Sequence, residues 1–284
     1  MFKYLLLSLF LINNLVALER KEIILREGYD NDAFVTIPQD IVVKFAAYTV
    51  SFDGADESNA DGVQDEDDKL GLPEWVAYQI NRIDQPLKKA PKRPYKWLSN
   101  KEMVKENIQP TDATYKRSGY DRGHMCMKQI AWRLGANADW NTHTTLNACP
   151  QLHKFNAGIW LALEKLTQKW ADKYGKIWVI CGPIINFPHK KYIGGTNSKR
   201  IPVPNSFYKI IIRKDGAGYK VISYIFPHEN ILKVNGKYQF DKYITTVDEI
   251  ENATHLDFLT KLPDELEEKI ESTKSSPKEI ASHG

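Results

Sequence analysis

The chain has 284 residues, 42% hydrophobic and 26% charged, enough to bury about 75% of its unfolded surface without a disulfide scaffold; collagen-like and wholly disordered classes are excluded. A single apolar run, at the extreme N-terminus, approaches membrane length, which excludes a multi-span membrane protein. The net charge of +3 hides a division: without the eight acids of 53–68, the net −3 of 264–284 and Lys3, the body carries +13, a charge that attracts polyanions.

Residues 1–17 (MFKYLLLSLFLINNLVA) have one cation, an apolar stretch from Leu5 to Ile12 too short to span a bilayer, and a small residue, Ala17, where cleavage could fall. This is the pattern of a secretory signal peptide, so the chain is expected to be exported, periplasmic or extracellular, with no membrane association once the leader is removed. Residues 18–40 read as a loose lead-in, and 41–52 as a strand rich in β-branched and aromatic residues. The acidic insert 53–68 follows. Its Glu57-x-Asn59-x-Asp61-Gly62 stretch partly echoes a calcium loop, but no helical pattern flanks it, and a solvated surface loop is the better reading.

The stretch 73–81 reads as a strand, 84–100 as an extended basic loop, and 112–125 as a loop leading into a strand. Over 153–174, Phe155, Ile159, Leu163, Leu166 and Trp170 recur at helical spacing, and Gly175 is a suitable stop. A buried strand is expected at 176–184, a hairpin over 206–227, and a polar, flexible tail over 264–284. Strands and helices mix without βαβ regularity, so the fold class is α+β. Cys126, Cys149 and Cys181 are an odd set that allows at most one internal bridge, Cys126–Cys149 being one option.

The chemistry concentrates in 120–164. Arg122 offers a forked cation suited to phosphate, Gly123 permits close approach, and His124 can take a proton near neutral pH. Asn156 and Glu164 lie eight residues apart, about 12 Å and 80° around a regular helix. That spacing suits one direct ligand at Asn156 and a second reached through water at Glu164, an arrangement Mg²⁺ tolerates. The same two residues would equally serve as a helix cap and a surface carboxylate.

Asp121-Arg122-Gly123-His124 resembles the D-R-G-H signature of the DNA/RNA non-specific endonucleases, and 146–164 (LNACPQLHKFNAGIWLALE) is similar to that family's N-x-x-P-Q…N…W…L-E segment at the same spacing. Segments at 73–80, 177–184 and 201–212 resemble its core strands, so the likeness spans roughly 69–263. It implies a ββα-metal (His-Me finger) core on a mixed, mainly antiparallel central sheet with flanking helices, in a single nuclease domain over 18–263. It further implies a sugar-non-specific phosphodiester hydrolase acting on DNA and RNA. His124 would be the general base, Asn156 the direct ligand of Mg²⁺ (or Mn²⁺ or Ca²⁺), and Glu164 the holder of that ion's waters. Asn147 would orient the site or touch substrate, and Arg122 would contact phosphate or brace the site. Arg93 matches, more loosely, a second arginine that stabilises the transition state, and Asp121 would be structural, pairing with a base or amide. Two rivals stand beside this: a Cys2His2 structural zinc site from His124, Cys126, Cys149 and His153, and an inactive nucleic-acid-binding protein. Homodimer formation is left open.

Overall fold

The computed structural model describes residues 30–35, 41–53, 70–85, 87, 89, 92, 97–98, 109–189, 191–195 and 198–281. The expected leader at 1–17, most of the acidic insert with its calcium-loop echo, and Arg93 lie outside the described residues.

Seven strands form the central sheet: β1 (Ile41–Lys44), β2 (Thr49–Phe52), β3 (Pro73–Asn81), β6 (Lys176–Ile184), β9 (Ser206–Asp215), β10 (Gly218–Pro227) and β11 (Ile244–Thr245), in the order β1-β2-β3-β6-β9-β10-β11. Every described pairing in it is antiparallel, so the sheet is simpler than the mixed one expected. The single strand expected over 41–52 is a hairpin, with Ile41 opposite Phe52. A two-residue turn at Gly216 joins β9 to β10.

The near-continuous apolar runs of β6 and β9 follow from burial on both faces, since strand side chains alternate. On β9, Phe207 and Ile211 join one core while Tyr208, Ile210 and Ile212 join another. The first core is covered by the segment that carries the site: α1 (Asp112–Tyr115), β4 (Asp121–His124), α2 (Lys128–Trp132), α3 (Ala136–Asn141), β5 (Ala148–Gln151), α4 (His153–Phe155) and α5 (Leu161–Tyr174). The second is covered by Phe34, Val35, Phe258, Leu259 and the helix α6 (Val247–Thr254).

Two expectations change. The tail is ordered into α7 (Asp264–Glu271) and α8 (Pro277–Ala281), because its few apolar residues are placed to dock: Ile270 packs on the second core, and Ile280 is buried in the first. The cysteines are three free, buried thiols, with no bridge between Cys126 and Cys149.

Between α6 and α7, carboxylate oxygens of Asp248, Glu251 and Glu271 lie within 4.8 Å of one another. Burial, reinforced by these and neighbouring acids, pushes Glu251 up to about 7 and Glu271 up to about 8. The folded chain therefore holds protons that the unfolded chain has released, between its ordinary carboxylate value of 4.5 and these raised values. Stability is largest below that window and falls as pH rises through it. Glu271→Gln is expected to raise Tm at pH 8.5 and to leave it nearly unchanged at pH 4.5; equal shifts at both pH values in thermal unfolding would contradict this.

Candidate active site

β4 and β5 form a separate antiparallel ribbon in which Asp121 faces Gln151, Gly123 faces Cys149 and His124 faces Ala148. The chain then enters α4, a π-helical turn over Asn156–Trp160, and α5. This ββα unit carries four of the candidate residues. Gly123 has a local reason: a Cβ there would lie 2.3 Å from Cδ of the buried Gln151 side chain.

The helix expected over 153–174 is interrupted. Gly158 leaves helical geometry at φ −101° and ψ −114°, so the angle between Asn156 and Glu164 computed for a regular helix does not apply. The interruption has a neighbour, since a Cβ on Gly158 would stand 2.9 Å from the Tyr238 hydroxyl.

His124, Arg122, Asp121, Asn156 and Glu164 all line one cavity of about 960 Å³. Nε2 of His124 is closed off from solvent, and its ring lies 4.8 Å from that of Trp97 and 5.2 Å from that of the buried His143. The Arg122 guanidinium sits 5.1 Å over Trp97 and pairs with Asp112, which also accepts from the Trp97 backbone N–H at 3.3 Å. Trp97 thus forms a wall shared by His124 and Arg122. Sequence reasoning missed it; the available signal was an aromatic closing a basic loop.

Asp121 Oδ2 accepts from Asn156 Nδ2 at 3.0 Å and is 2.8 Å from His153 Nδ1, which matches the expectation that Asp121 pairs with a base or amide. With the amide nitrogen engaged, the oxygen of Asn156 is the atom left for a cation. Glu164 is 4% exposed and its Oε1 has no hydrogen-bond partner among the described residues. Burial pushes its carboxyl up to about 7, against the opposing pull of the Lys209 ammonium and the Trp160 indole N–H. Lys209 is fully buried, with Nζ 3.9 Å from the centre of the Trp160 ring. That indole in turn donates to the backbone carbonyl of His124 at 3.2 Å.

Asn147 does not line the cavity. It is fully buried, accepts from Cys126 N at 2.8 Å, and donates to the carbonyls of Cys126 (2.9 Å) and Thr142 (3.1 Å). It braces the backbone just beyond His124 and is screened from substrate. Arg93 lies outside the described residues. The zinc alternative fails on register: Cys149 faces Gly123, so its thiol leaves the opposite side of the ribbon from the His124 ring. His153 is mostly solvent-exposed and engaged by Asp121. Among the described residues no such ligand group gathers there.

His228, which has no motif around it, is also drawn in. Its Nε2 accepts from Leu152 N at 2.8 Å and its Nδ1–H donates to the Pro204 carbonyl at 2.9 Å. Leu152 precedes α4, and its carbonyl accepts from Asn156 N at 2.9 Å, so a neutral imidazole pins the start of the helix that presents Asn156.

A strand pair and a helix thus bring one histidine, one carboxamide and one buried carboxylate to one cavity. The family model for DNA/RNA non-specific endonucleases matches residues 27–265, and the chain belongs to that family. It is 27% identical over 210 residues to the mitochondrial nuclease of Saccharomyces cerevisiae, covering 67% of this chain and 61% of that one. It is 27% identical over 224 residues to a nuclease of Nostoc, covering 71% and 72%. It is 26% identical over 161 residues to human mitochondrial endonuclease G, covering 54% and 52%. The chain thus spans only part of the length of several curated relatives. Its fold is similar to a chain in the crystal structure of the EndoG/EndoGI complex, with a TM-score of 0.65 at 20% identity over 81% of this chain and 89% of that one.

Two outcomes are expected. Asn147→Ala strips three hydrogen bonds from a buried site and should cost about 3 kcal/mol of stability, read by urea unfolding; a value near zero would remove the bracing role. Burial lowers the His228 pKa below its usual 6.5, and the Lys191 ammonium adds to this; protonation would also set an N–H against the Leu152 N–H. Its contribution is present above 6.5 and is lost as pH falls through the lowered value. Wild type should therefore lose stability relative to His228→Gln between pH 8 and pH 5; a constant difference in Tm would refute the neutral clamp.

Proposed function

We propose that the chain is an exported, metal-dependent endonuclease that hydrolyses phosphodiester bonds in DNA and RNA with little sequence preference. The observation that carries this is the convergence of His124, Arg122, Asn156 and Glu164 on one cavity. Export rests on the leader pattern of 1–17.

The residues fit a divalent cation. The Asn156 amide is oriented with its nitrogen spent on Asp121. The buried Glu164 oxygen lacks a partner among the described residues, an arrangement that costs about 1–3 kcal/mol unless something satisfies it. Hard oxygens and few protein ligands suit Mg²⁺, and Mn²⁺ would also be accepted. Asn156 would hold the ion directly and Glu164 through its waters. When bound, the ion would polarise a phosphoryl oxygen and stabilise the leaving oxygen.

The protein's own groups supply the rest. His124 takes a proton from the attacking water at Nδ1, since Nε2 is closed off, a role worth roughly 10²–10⁴-fold. Arg122, held by Asp112 and placed 5.1 Å over the Trp97 ring, offers charge to the phosphate without having to be ordered first. Arg93 is the second arginine in this reading. Such contacts reach phosphate and carry no base information.

His124→Ala should reduce cleavage of circular DNA and of RNA by at least about 10² while gel-shift binding persists. EDTA should abolish wild-type cleavage, Mg²⁺ should restore it, and the rate should fall steeply with salt. Cleavage by His124→Ala at near the wild-type rate would sink the assignment, as would wild-type binding without metal-dependent cleavage.

A further inference from the structure

The active cavity does not end at the site. Ala113 and Lys116 line both it and a second groove of about 510 Å³, so the two are lobes of one depression. The second lobe carries none of the catalytic candidates. Lys116, Arg117, Tyr192, Gly194, Gly195 and Ser198 are among its walls, and no described residue lining it is acidic. Two further cations flank the depression: Arg200 lies 4.2 Å over the Tyr192 ring, and Lys191 lies 5.2 Å over Tyr120, which lines the active cavity.

The walls are fixed in place. The strands β7 (Tyr192–Ile193) and β8 (Ile201–Pro202) pair antiparallel. The buried Thr114 hydroxyl donates to the Lys199 carbonyl at 3.2 Å, tying α1 to the connection between those strands. Gly194 has φ +91°, and a Cβ there would meet the Lys199 carbonyl oxygen at 2.3 Å, so only glycine fits. Gly195 is different: its backbone N–H bonds the Ser198 hydroxyl at 3.1 Å, and a Cβ on it would meet open space.

We infer that this second lobe is a binding subsite for the nucleic-acid strand that continues away from the scissile phosphate, with Lys116 and Arg117 meeting its backbone phosphates. The inference rests on the endonuclease reading and deepens it. A polynucleotide that places one phosphate between His124 and Asn156 must leave the cavity on at least one side. A groove that adjoins the cavity, with cations, a ring and no carboxylate among the described residues lining it, suits an anionic chain with stackable bases.

Gly195 makes the test sharp, since either sign of charge can be added there without steric cost. Binding of a fluorescein-labelled 12-nucleotide single-stranded DNA is measured by anisotropy in EDTA, with folding of each variant verified by its Tm. Gly195→Lys should tighten binding and Gly195→Glu should weaken it, each by about threefold or more. Lys116→Gln/Arg117→Gln should lower the slope of log K against log salt by about 1.4, the value for two phosphate contacts on a single strand. Equal affinities for the two Gly195 variants, changes of the same sign, or an unaltered salt slope would overturn the subsite. Plasmid cleavage by wild type in Mg²⁺ is scored in parallel: if it persists while the variants bind unchanged, the subsite alone fails, whereas its absence counts against the endonuclease reading itself.

Discussion

The hydrogen bond from Asn156 to Asp121 is the constraint on which the rest of the site depends. It crosses from the helix head to the strand that carries His124, three residues further on. Without it the Asn156 amide could rotate about its last torsion and present nitrogen or oxygen to the cavity with similar ease. With it, the donor faces the ribbon and the acceptor faces the open side. The same carboxylate oxygen also lies 2.8 Å from His153 Nδ1, so Asp121 is tied at Oδ2 to two neighbours at the cavity wall. The aspartate in this signature thus orients the amide.

A second chain of contacts reaches the site from beneath. Lys209 projects from the middle of β9 into an apolar core, where an isolated ammonium would be very costly. It is compensated by the face of Trp160 and by the nearby carboxylate of Glu164. The Trp160 indole N–H then bonds the backbone carbonyl of His124. One buried cation therefore supports both walls of the cavity: it favours the charged form of Glu164, and through the indole it anchors the backbone that carries His124. Removing the charge while keeping the shape would leave the fold its packing and deprive Glu164 of its counter-charge. Breaking a buried charge arrangement on one side only is where large penalties arise.

The sheet was legible in the sequence because its strands are long, β-branched and bounded by Gly and Pro. The bounds of β3 and β6 and the turn between β9 and β10 follow directly from those signals. Along 41–52 the same rule merged two strands, since the Phe45–Ala47 turn is itself apolar and buries into the core. The tail misled for the opposite reason: composition averages its charges, while docking needs only Ile270 and Ile280 at the correct places. Within the site, residue types and spacing singled out His124, Asn156 and Glu164, which the fold brings to one cavity. They did not reveal that Asn147 is spent on backbone hydrogen bonds, that Trp97 folds over His124, or that His228 clamps Leu152. Those depend on pairings 21 to 76 residues apart in the chain, which local patterns do not encode.

The π turn at Asn156–Trp160 is the least regular backbone in the region, and it lies between the two residues that would share a cation. A regular helix running from 153 to 174 would fix the separation of Asn156 from Glu164 by rise and twist alone. Inserting a wider turn frees that relation, so Glu164 can sit in the core beside Lys209 while Asn156 stays at the cavity edge. The local cost falls on Gly158, which has no side chain to clash, and the space a side chain would fill is taken by the Tyr238 hydroxyl. A larger residue at 158 would have to displace Tyr238 or straighten the turn. Either change would move the amide relative to the carboxylate, so the geometry of the site depends on a position that carries no functional group.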